Sequence, residues 1–101
     1  MKAMKITALK ACQMRDTGQT LVKIETDQGL VGYGEAGGPG PMTRGFLKYY
    51  ESLLLGKDPL EVDKIWQMLM NFQHPNRGHV PTTSGIDIAL WDIVGKFYGR
   101  P

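Results

Sequence analysis

The sequence predicts an α+β fold in which a three-stranded antiparallel meander is followed by three helices. Two observations support this prediction: β-type alternation is confined to residues 4–36, and helical periodicity is confined to the remainder of the chain. Strands followed by helices favour an antiparallel sheet with helices on one face. With 101 residues, 42% of them hydrophobic, the chain is expected to form one small domain, residues 1–101, around a modest core.

Three runs of residues are predicted to be strands. The first covers residues 4–14, and its apolar residues alternate on one face: Met4, Ile6, Ala8, Cys12 and Met14. The second and third cover residues 21–26 and 30–36 and are joined by a short turn, where Gly29 can adopt a positive φ. A lone cysteine excludes an internal disulfide, so Cys12 is expected to pack in the core.

Two helices are predicted in the middle of the chain. The first covers residues 42–55 and ends near Gly56, after a Gly- and Pro-rich segment at 37–41 that is expected to be irregular. Asp58 and Pro59 match a cap residue followed by proline at the first helical position, so the second helix is predicted to begin there.

The third helix is predicted to begin at Ser84, because Asp87 completes a capping box with it, and to stop before Gly99 and Pro101. Its apolar face is formed by Ile86, Ala89, Leu90, Ile93 and Phe97. Both tryptophans of the chain lie at core spacing on predicted helices and are expected to pack inside: Trp66 and Trp91.

Composition excludes several classes of function. The 12 basic and 10 acidic residues are scattered, with a net charge of +2, so no basic tract points to nucleic acid. No run of about 18 apolar residues and no secretory leader is visible, so we expect neither membrane spanning nor secretion, and a cytoplasmic protein.

Local motifs for catalysis are missing from the sequence. It has no histidine pair at metal-ligand spacing, no nucleophile elbow and no phosphate-binding loop. Asp87 and Asp92 are interpreted as structural. His79 lies in a Pro- and Gly-rich segment, where it is either a solvated surface group, as lone loop histidines usually are, or a ligand contact, for which it is a stronger candidate than His74.

Two loops are better candidates than any single side chain. Segments 14–20 and 37–44 should emerge at the ends of neighbouring strands, where they form either one binding edge or ordinary connections.

Several separate motifs resemble the amino-terminal capping domain of the enolase superfamily, in the branch of mandelate racemase and muconate lactonizing enzyme. They are residues 22–36, 55–59, Trp66, 84–96 and 99–101, and they cover nearly the whole chain in order. The resemblance implies a C-terminal TIM-barrel domain that carries the acid/base residues and the ligands of an essential Mg²⁺. It therefore implies no catalytic and no metal-binding residue among these 101.

The resemblance also implies that the two loops close the mouth of the barrel. Arg15, Asp16 and Thr17 then form the tip of the first loop, and Gly38, Pro39 and Gly40 the part of the second that reaches the substrate. Arg15 or Arg44 could pair with a substrate carboxylate or a sugar hydroxyl, or be a solvated rim charge. Gly and Pro replace the bulky apolar residues of mandelate racemase in the second loop, which favours a polar substrate such as a sugar acid.

The function expected from this resemblance is that of the cap of an acid sugar dehydratase that abstracts the proton α to a carboxylate with Mg²⁺. The expected partners are the C-terminal barrel domain of the same chain, a small carboxylate substrate and further copies in a homo-oligomer. Racemase, epimerase or cycloisomerase chemistry in the same superfamily is the alternative. From another class, a stand-alone binding module is the rival interpretation.

Overall fold

The computed structural model describes residues 3–13, 19–37, 40–71 and 80–99. The elements follow in the order β1 (Ile6–Gln13), β2 (Thr20–Thr26), β3 (Val31–Ala36), α1 (Gly40–Leu54), α2 (Val62–Asn71) and α3 (Val80–Phe97). The strands form an antiparallel sheet in the order β1-β2-β3. The predicted meander followed by three helices is therefore confirmed.

One face of the sheet is buried under the helices, and the alternation along β2 shows which. Val22 and Ile24 are fully buried, whereas Lys23 and Glu25 lie on the opposite face, where Glu25 pairs with Lys10 at 2.9 Å and with Lys23 at 3.5 Å. The described helices cover one face, as the sequence predicts, and the other face carries charged side chains.

The alternation predicted for the first strand changes phase near its start. The pairing of β1 with β2 shifts between Ile6 and Ala8, and such an irregularity moves the following residues to the other face. Leu9 is consequently buried and Cys12 is exposed. The prediction that Cys12 packs in the core is wrong.

Two helices begin earlier than the sequence predicts, for the same reason. α1 begins at Gly40 with Pro41 in its first turn, and α3 begins at Val80 with Pro81 in its first turn. Proline is tolerated there because the first N–H groups of a helix have no partner within it. Ser84 and the acidic residue three positions later therefore lie inside α3, and the predicted capping box is wrong.

The second helix begins later than predicted. The Asp58 carboxylate accepts a hydrogen bond from the Leu60 N–H at 2.9 Å, and the Asp58 carbonyl accepts one from Glu61 at 3.1 Å. These bonds close a turn at residues 58–61, and α2 starts at Val62. Asp58 is a cap residue, as predicted, but it caps this turn and not α2. Pro59 therefore lies in the turn before the helix and not at its first position.

Helix α3 lies so close to β3 that only glycine fits between them. A Cβ on Gly32 or on Gly34 would collide with carbonyl oxygens of α3, and a Cβ on Gly85 would stand 2.9 Å from the Cβ of Ala36. Ile86, Ala89, Leu90 and Ile93 of α3 are buried in the same core. The close approach fixes the position of α3 on the sheet.

Both outer strands have backbone groups that the helices or their connections satisfy. At β1, the Leu9 N–H donates to the Glu51 carboxylate at 3.3 Å, and Ile6 exchanges backbone hydrogen bonds with residues 56–57. At β3, the Tyr33 N–H donates to the Asp92 carboxylate at 2.9 Å. The edges of the sheet are thus partly covered.

The tryptophans differ from the expectation that both pack inside. Trp66 is half-buried on α2, but Trp91 on α3 is 54% exposed. Phe97, expected on the apolar face of α3, is also exposed, at 41%. None of the described helices is long and apolar enough to cross a lipid bilayer.

Candidate functional site

Both candidate loops leave the sheet at the same end. Gln13, the last residue of β1, pairs with Thr20, the first residue of β2, and Thr20 pairs with Ala36, the last residue of β3. These three residues form one row across the sheet, and segments 14–18 and 38–39 connect to this row. The prediction that the two segments emerge at the ends of neighbouring strands is confirmed, and their role as one binding edge stays a prediction.

The second loop is held at its base by a buried hydroxyl. Thr43 is 2% exposed in the first turns of α1, and its Oγ1 donates to the Gly37 carbonyl at 2.9 Å. The end of β3 and the start of α1 are therefore tied together across residues 38–39. Because α1 begins at Gly40, this connection is shorter than the predicted segment 37–44.

The start of α3 lies at the same end of the sheet. Gly34 faces Gly85 and Ala89, whereas Gly32 faces Ala89 and Ile93, so α3 runs antiparallel to β3. Gly85 contacts Ala36 at the end of β3, and the five preceding residues of the helix extend about 7.5 Å further. The N-terminus of α3 thus joins the end of the sheet from which both loops leave.

The predicted site residues are only partly described. Six lie outside the described residues: Arg15, Asp16, Thr17, Gly38, Pro39 and His79. Gly40 is the first residue of α1, and Arg44 follows the buried Thr43 with an exposed side chain. His79 directly precedes α3, whose first turn lies at the loop end of the sheet.

Two of the buried threonines at this end, Thr20 and Thr43, were not predicted from the sequence. Thr20 is fully buried in the row that joins the loops, and its hydroxyl has no hydrogen-bond partner in the described part of the chain. Thr43 is the other, and its position in a helix first turn after a Gly- and Pro-rich segment is a signal of side-chain-to-backbone bonding. No pattern in the sequence marks Thr20.

The described residues contain no group of three histidine, cysteine, aspartate or glutamate side chains that could hold a metal ion. They therefore do not fit the Mg²⁺ that the resemblance implies. The two acidic residues of α3, Asp87 and Asp92, each interact with neighbours inside the domain.

Asp92 joins α3 to the edge of β3. Its carboxylate accepts the Tyr33 N–H and pairs with Lys96 at 3.0 Å, while Lys96 also donates to the Val31 carbonyl at 2.7 Å. Partial burial raises the pKa of Asp92, but the hydrogen bonds from Tyr33 and Lys96 and the Lys96 charge outweigh it, so the pKa lies below its ordinary value of 3.8. The structural interpretation of Asp92 is confirmed.

The pKa of Asp87 is shifted in the opposite direction to that of Asp92. Burial, followed by the negative charge of Asp63, raises the pKa of Asp87 above its ordinary value of 3.8, and a hydrogen bond from the Trp91 indole offsets part of this effect. Asp87 therefore orients Trp91 one helical turn along α3, in place of the predicted capping role.

An apolar groove runs along the outer side of α3, away from the loop end. It has a volume of about 880 Å³, and we call it the α3 groove; its lining includes Tyr33, Ile88, Trp91, Asp92, Val94 and Tyr98. Lys96 lies over the Tyr33 ring, 5.2 Å from its centre. The groove was not predicted from the sequence, because the helical spacing of Trp91 indicates a core position.

Comparison with known proteins identifies relatives along the whole described fold. The profile of the mandelate racemase / muconate lactonizing enzyme N-terminal domain matches residues 4–101. The D-galactarolactone cycloisomerase of Agrobacterium fabrum is 46% identical over 82 residues, which is 78% of this chain and 22% of that protein. The D-galactonate dehydratase of Pectobacterium atrosepticum is 36% identical over 107 aligned positions, 97% of this chain and 26% of that enzyme.

Solved structures of similar proteins have the same fold. An enolase superfamily member from Salmonella typhimurium superposes with a TM-score of 0.82 at 36% identity, over 94% of this chain and 26% of that one. An enolase of the mandelate racemase subgroup from Agrobacterium tumefaciens superposes with a TM-score of 0.86 at 31% identity, over 96% and 28%. The chain thus spans about a quarter of the length of these relatives.

Proposed function

The chain belongs to the mandelate racemase / muconate lactonizing enzyme family of the enolase superfamily, as an N-terminal domain, and from this premise we propose that it caps the active site of an acid sugar dehydratase. The observation that carries the proposal is the row formed by Gln13, Thr20 and Ala36, which brings both loop segments to one end of a rigid sheet. Loops presented in this way are common substrate-binding elements. The similarity to D-galactonate dehydratases supports the substrate class.

The proposed enzyme divides its work between two domains. Residues 1–101 form the cap, and a C-terminal TIM barrel carries the base that removes the proton α to the substrate carboxylate, after which the β-hydroxyl leaves as water. Mg²⁺, when bound there, would stabilise the negative charge that develops on the carboxylate. We propose, from the family resemblance, that the ligands of Mg²⁺ lie in that second domain.

The cap itself is proposed to select the substrate and to exclude water from the reacting atoms. Arg44 is exposed beside the tied base of the second loop, where a guanidinium can donate two hydrogen bonds to a carboxylate. The remaining substrate contacts stay predictions for residues outside the described part of the chain or at its border: Arg15, Asp16, Thr17, Gly38, Pro39, Gly40 and His79.

Lactone cycloisomerisation is the second candidate. It is favoured by the 46% identity with D-galactarolactone cycloisomerase, a higher value than the 36% with the dehydratase. Both reactions begin with loss of a proton α to a carbonyl group and differ only in their later steps, so the same cap could serve either. Racemisation or epimerisation remains a third outcome of the same first step.

The test uses the full-length protein that contains this domain, purified with Mg²⁺ and incubated with D-galactonate and with D-galactarolactone. Formation of an α-keto acid from D-galactonate supports the dehydratase. Conversion of the lactone to an isomer of unchanged mass supports the cycloisomerase. A full-length chain that has no second domain, or one that turns over no acid sugar or lactone, would contradict the proposal and favour a stand-alone binding module.

Two further expectations concern the full-length protein. We propose that it is a cytoplasmic homo-oligomer, as expected from the sequence and from the family resemblance. Light scattering of the purified protein tests the oligomer, and fractionation of the source cells tests the location.

A further inference from the structure

One buried hydroxyl at the loop end of the sheet has no hydrogen-bond partner in the part of the chain that the structure describes. It belongs to Thr20, the first residue of β2, which is fully buried. Burying a hydroxyl without a hydrogen bond costs stability, because the group loses the bonds that it makes with water. A valine has nearly the same shape, is equally suited to a strand and would avoid this cost. Position 20 thus carries a polar group that folding alone does not favour.

The opposite end of the same strand shows how such a hydroxyl is satisfied. Thr26 is the last residue of β2 and lies on the same face as Thr20, about 20 Å away along the strand. It is also buried, and its Oγ1 donates to the Leu30 carbonyl at 2.8 Å. A threonine on this face can therefore find a partner within the domain. The unpaired hydroxyl is a feature of the loop end and not of the strand.

Thr20 lies between the points where both candidate loops leave the sheet. Its backbone pairs with Gln13 of β1 on one side and with Ala36 of β3 on the other. Its side chain lies on the face that the helices cover, because it precedes the buried Val22 by two residues in the regular alternation of β2. A hydrogen bond to this side chain would consequently act at the junction of both loops.

The second loop shows what such a bond does at this end of the sheet. Thr43 is also buried, and its Oγ1 donates to the carbonyl of Gly37, the residue that follows Ala36. This bond ties the end of β3 to the start of α1. Thr20 has the same functional group one strand away. A hydroxyl can donate one hydrogen bond and accept two, so a single backbone N–H or carbonyl would suffice as its partner.

Complete burial separates Thr20 from direct contact with a substrate, so its effect on binding must be indirect. A conformation of the loop end in which the hydroxyl has a partner is stabilised by that bond relative to a conformation without it. A substrate that binds more tightly to the bonded conformation shifts the population toward it. The strength of the bond would then contribute to the apparent affinity for the substrate.

From these observations we propose that Thr20 is a positioning residue for substrate binding, whose hydroxyl gains a hydrogen bond with a backbone group of the loop end when the acid sugar binds. The inference rests on the proposed capping function, because it needs a substrate at this end of the sheet. It goes beyond that function by assigning a contribution to substrate affinity to a residue that the substrate does not touch.

Steady-state kinetics of the full-length enzyme tests the proposal, with D-galactonate or D-galactarolactone as the substrate, whichever the enzyme turns over. Thr20→Val removes the hydroxyl and should raise KM about five- to tenfold. It should change kcat by less than about twofold, because the bond is present in the substrate complex and in the transition state alike. Thr20→Ser restores the hydroxyl and should return KM to within about twofold of the wild-type value.

Thr26→Val is the matched control, because it removes a buried threonine hydroxyl from the same face of the same strand, far from the loops. Its KM should equal that of the wild type. Urea denaturation without substrate gives the complementary measurement. Thr26→Val should unfold at a lower urea concentration than the wild type, whereas Thr20→Val should unfold at the same or a higher concentration.

Three results would overturn the proposal. Thr20→Val may leave KM unchanged, or raise KM in a way that Thr20→Ser does not reverse. It may also unfold at a lower urea concentration than the wild type without substrate, which would show that the hydroxyl has its partner before the substrate binds and serves stability alone.

The activity of the wild type separates this inference from the proposed function. An active enzyme whose KM does not respond to Thr20→Val contradicts the positioning role alone. A wild type that turns over neither compound contradicts the proposed function and, with it, this inference. A Thr20→Val variant of an active enzyme that keeps its stability and has a raised KM supports both.

Discussion

Gly34 of β3 lies directly against the carbonyl group of Gly85 in α3, with no space between them for a methyl group. The strand and the helix therefore approach each other through two glycines, and the helix places its N-terminus at the end of the sheet from which both loops leave. A packing contact in the core thus determines part of the geometry of the candidate site.

Replacing Gly34 by alanine is expected to destabilise the protein by about 1–3 kcal/mol, because the new Cβ meets backbone atoms that cannot move aside alone. Gly45→Ala is the matched control: Gly45 lies inside α1, and a Cβ there meets nothing within 4 Å. That substitution should stabilise by roughly 0.5–1 kcal/mol. Urea denaturation of both variants measures the effects, and a Gly34→Ala variant as stable as the wild type would contradict the close approach.

Two buried threonines should respond in opposite directions to the same substitution. Thr43→Val removes the hydroxyl that donates to the Gly37 carbonyl and leaves that carbonyl without this hydrogen bond. We therefore expect the free energy of unfolding to fall by about 1–3 kcal/mol. Thr20→Val removes a buried hydroxyl without a partner among the described residues and should be neutral or stabilising by up to about 1 kcal/mol. Denaturation curves give both values. In the full-length enzyme Thr43→Val should also raise KM, and an unchanged KM would show that the tie does not affect substrate binding.

The stability contribution of Asp92 should depend on pH. Because the folded-state pKa lies below the ordinary value of 3.8, this contribution is fully present above pH 3.8 and is lost as the pH falls through the lower, folded-state pKa. Asp92→Asn should therefore cost a few tenths to about 1 kcal/mol at pH 7, because water screens the partly exposed carboxylate, and progressively less below pH 3.8. Urea denaturation of variant and wild type across this range measures the difference. A difference in unfolding free energy that stays constant with pH would argue against stabilisation by the ionised Asp92 carboxylate.

Asp87 should behave in the opposite way. Its pKa is raised in the folded state, so wild-type stability falls as the pH rises from 3.8 through the higher, folded-state pKa. Asp87→Asn should therefore stabilise the protein at pH 7 by a few tenths of a kcal/mol, with no effect below pH 3.8. The Asp63→Asn variant provides a second measurement, because removing its charge should lower the pKa of Asp87. If Asp87→Asn instead destabilised the protein at pH 7, the hydrogen bond from Trp91 would stabilise the ionised Asp87 carboxylate by more than burial and the Asp63 charge destabilise it.

Arg44 can be tested in the full-length enzyme. If it pairs with the substrate carboxylate, Arg44→Gln should lower kcat/KM by about tenfold, since a hydrogen bond between charged groups is lost. Lys48→Gln is the control, because Lys48 is an exposed cation one turn further along α1. Steady-state kinetics on the acid sugar that the enzyme accepts gives both values. Equal, small effects of the two substitutions would identify Arg44 as a solvated rim charge.

The order of the elements could be predicted from the sequence because its signals are local. Gly29, Gly56 and Gly99 all have positive φ, and each ends an element close to where the pattern places the end. The helix starts could not be predicted in the same way, because proline is compatible both with a loop and with a first helical turn. Pro41 and Pro81 lie within helices, whereas Pro59 precedes one.

The candidate site could be predicted as far as topology determines it. A meander necessarily brings the ends of neighbouring strands together, and the row through Thr20 follows from that. The contacts of Thr43 with Gly37 and of Asp92 with Tyr33 depend on how helices dock on the sheet, and in the second case they join residues 59 positions apart. The exposure of Trp91 likewise depends on the rotation of α3, which the glycine contacts with β3 fix.

The carboxylates at the two outer strands bear on how this domain avoids aggregation. Glu51 accepts the Leu9 N–H of β1, and Asp92 accepts the Tyr33 N–H of β3, so each edge has a backbone donor withdrawn from pairing with foreign strands. An exposed, unprotected strand edge is a template for cross-β growth. An N-terminal domain leaves the ribosome before the rest of its chain, and edges partly covered by its own helices offer fewer free backbone donors to neighbouring nascent chains during that interval.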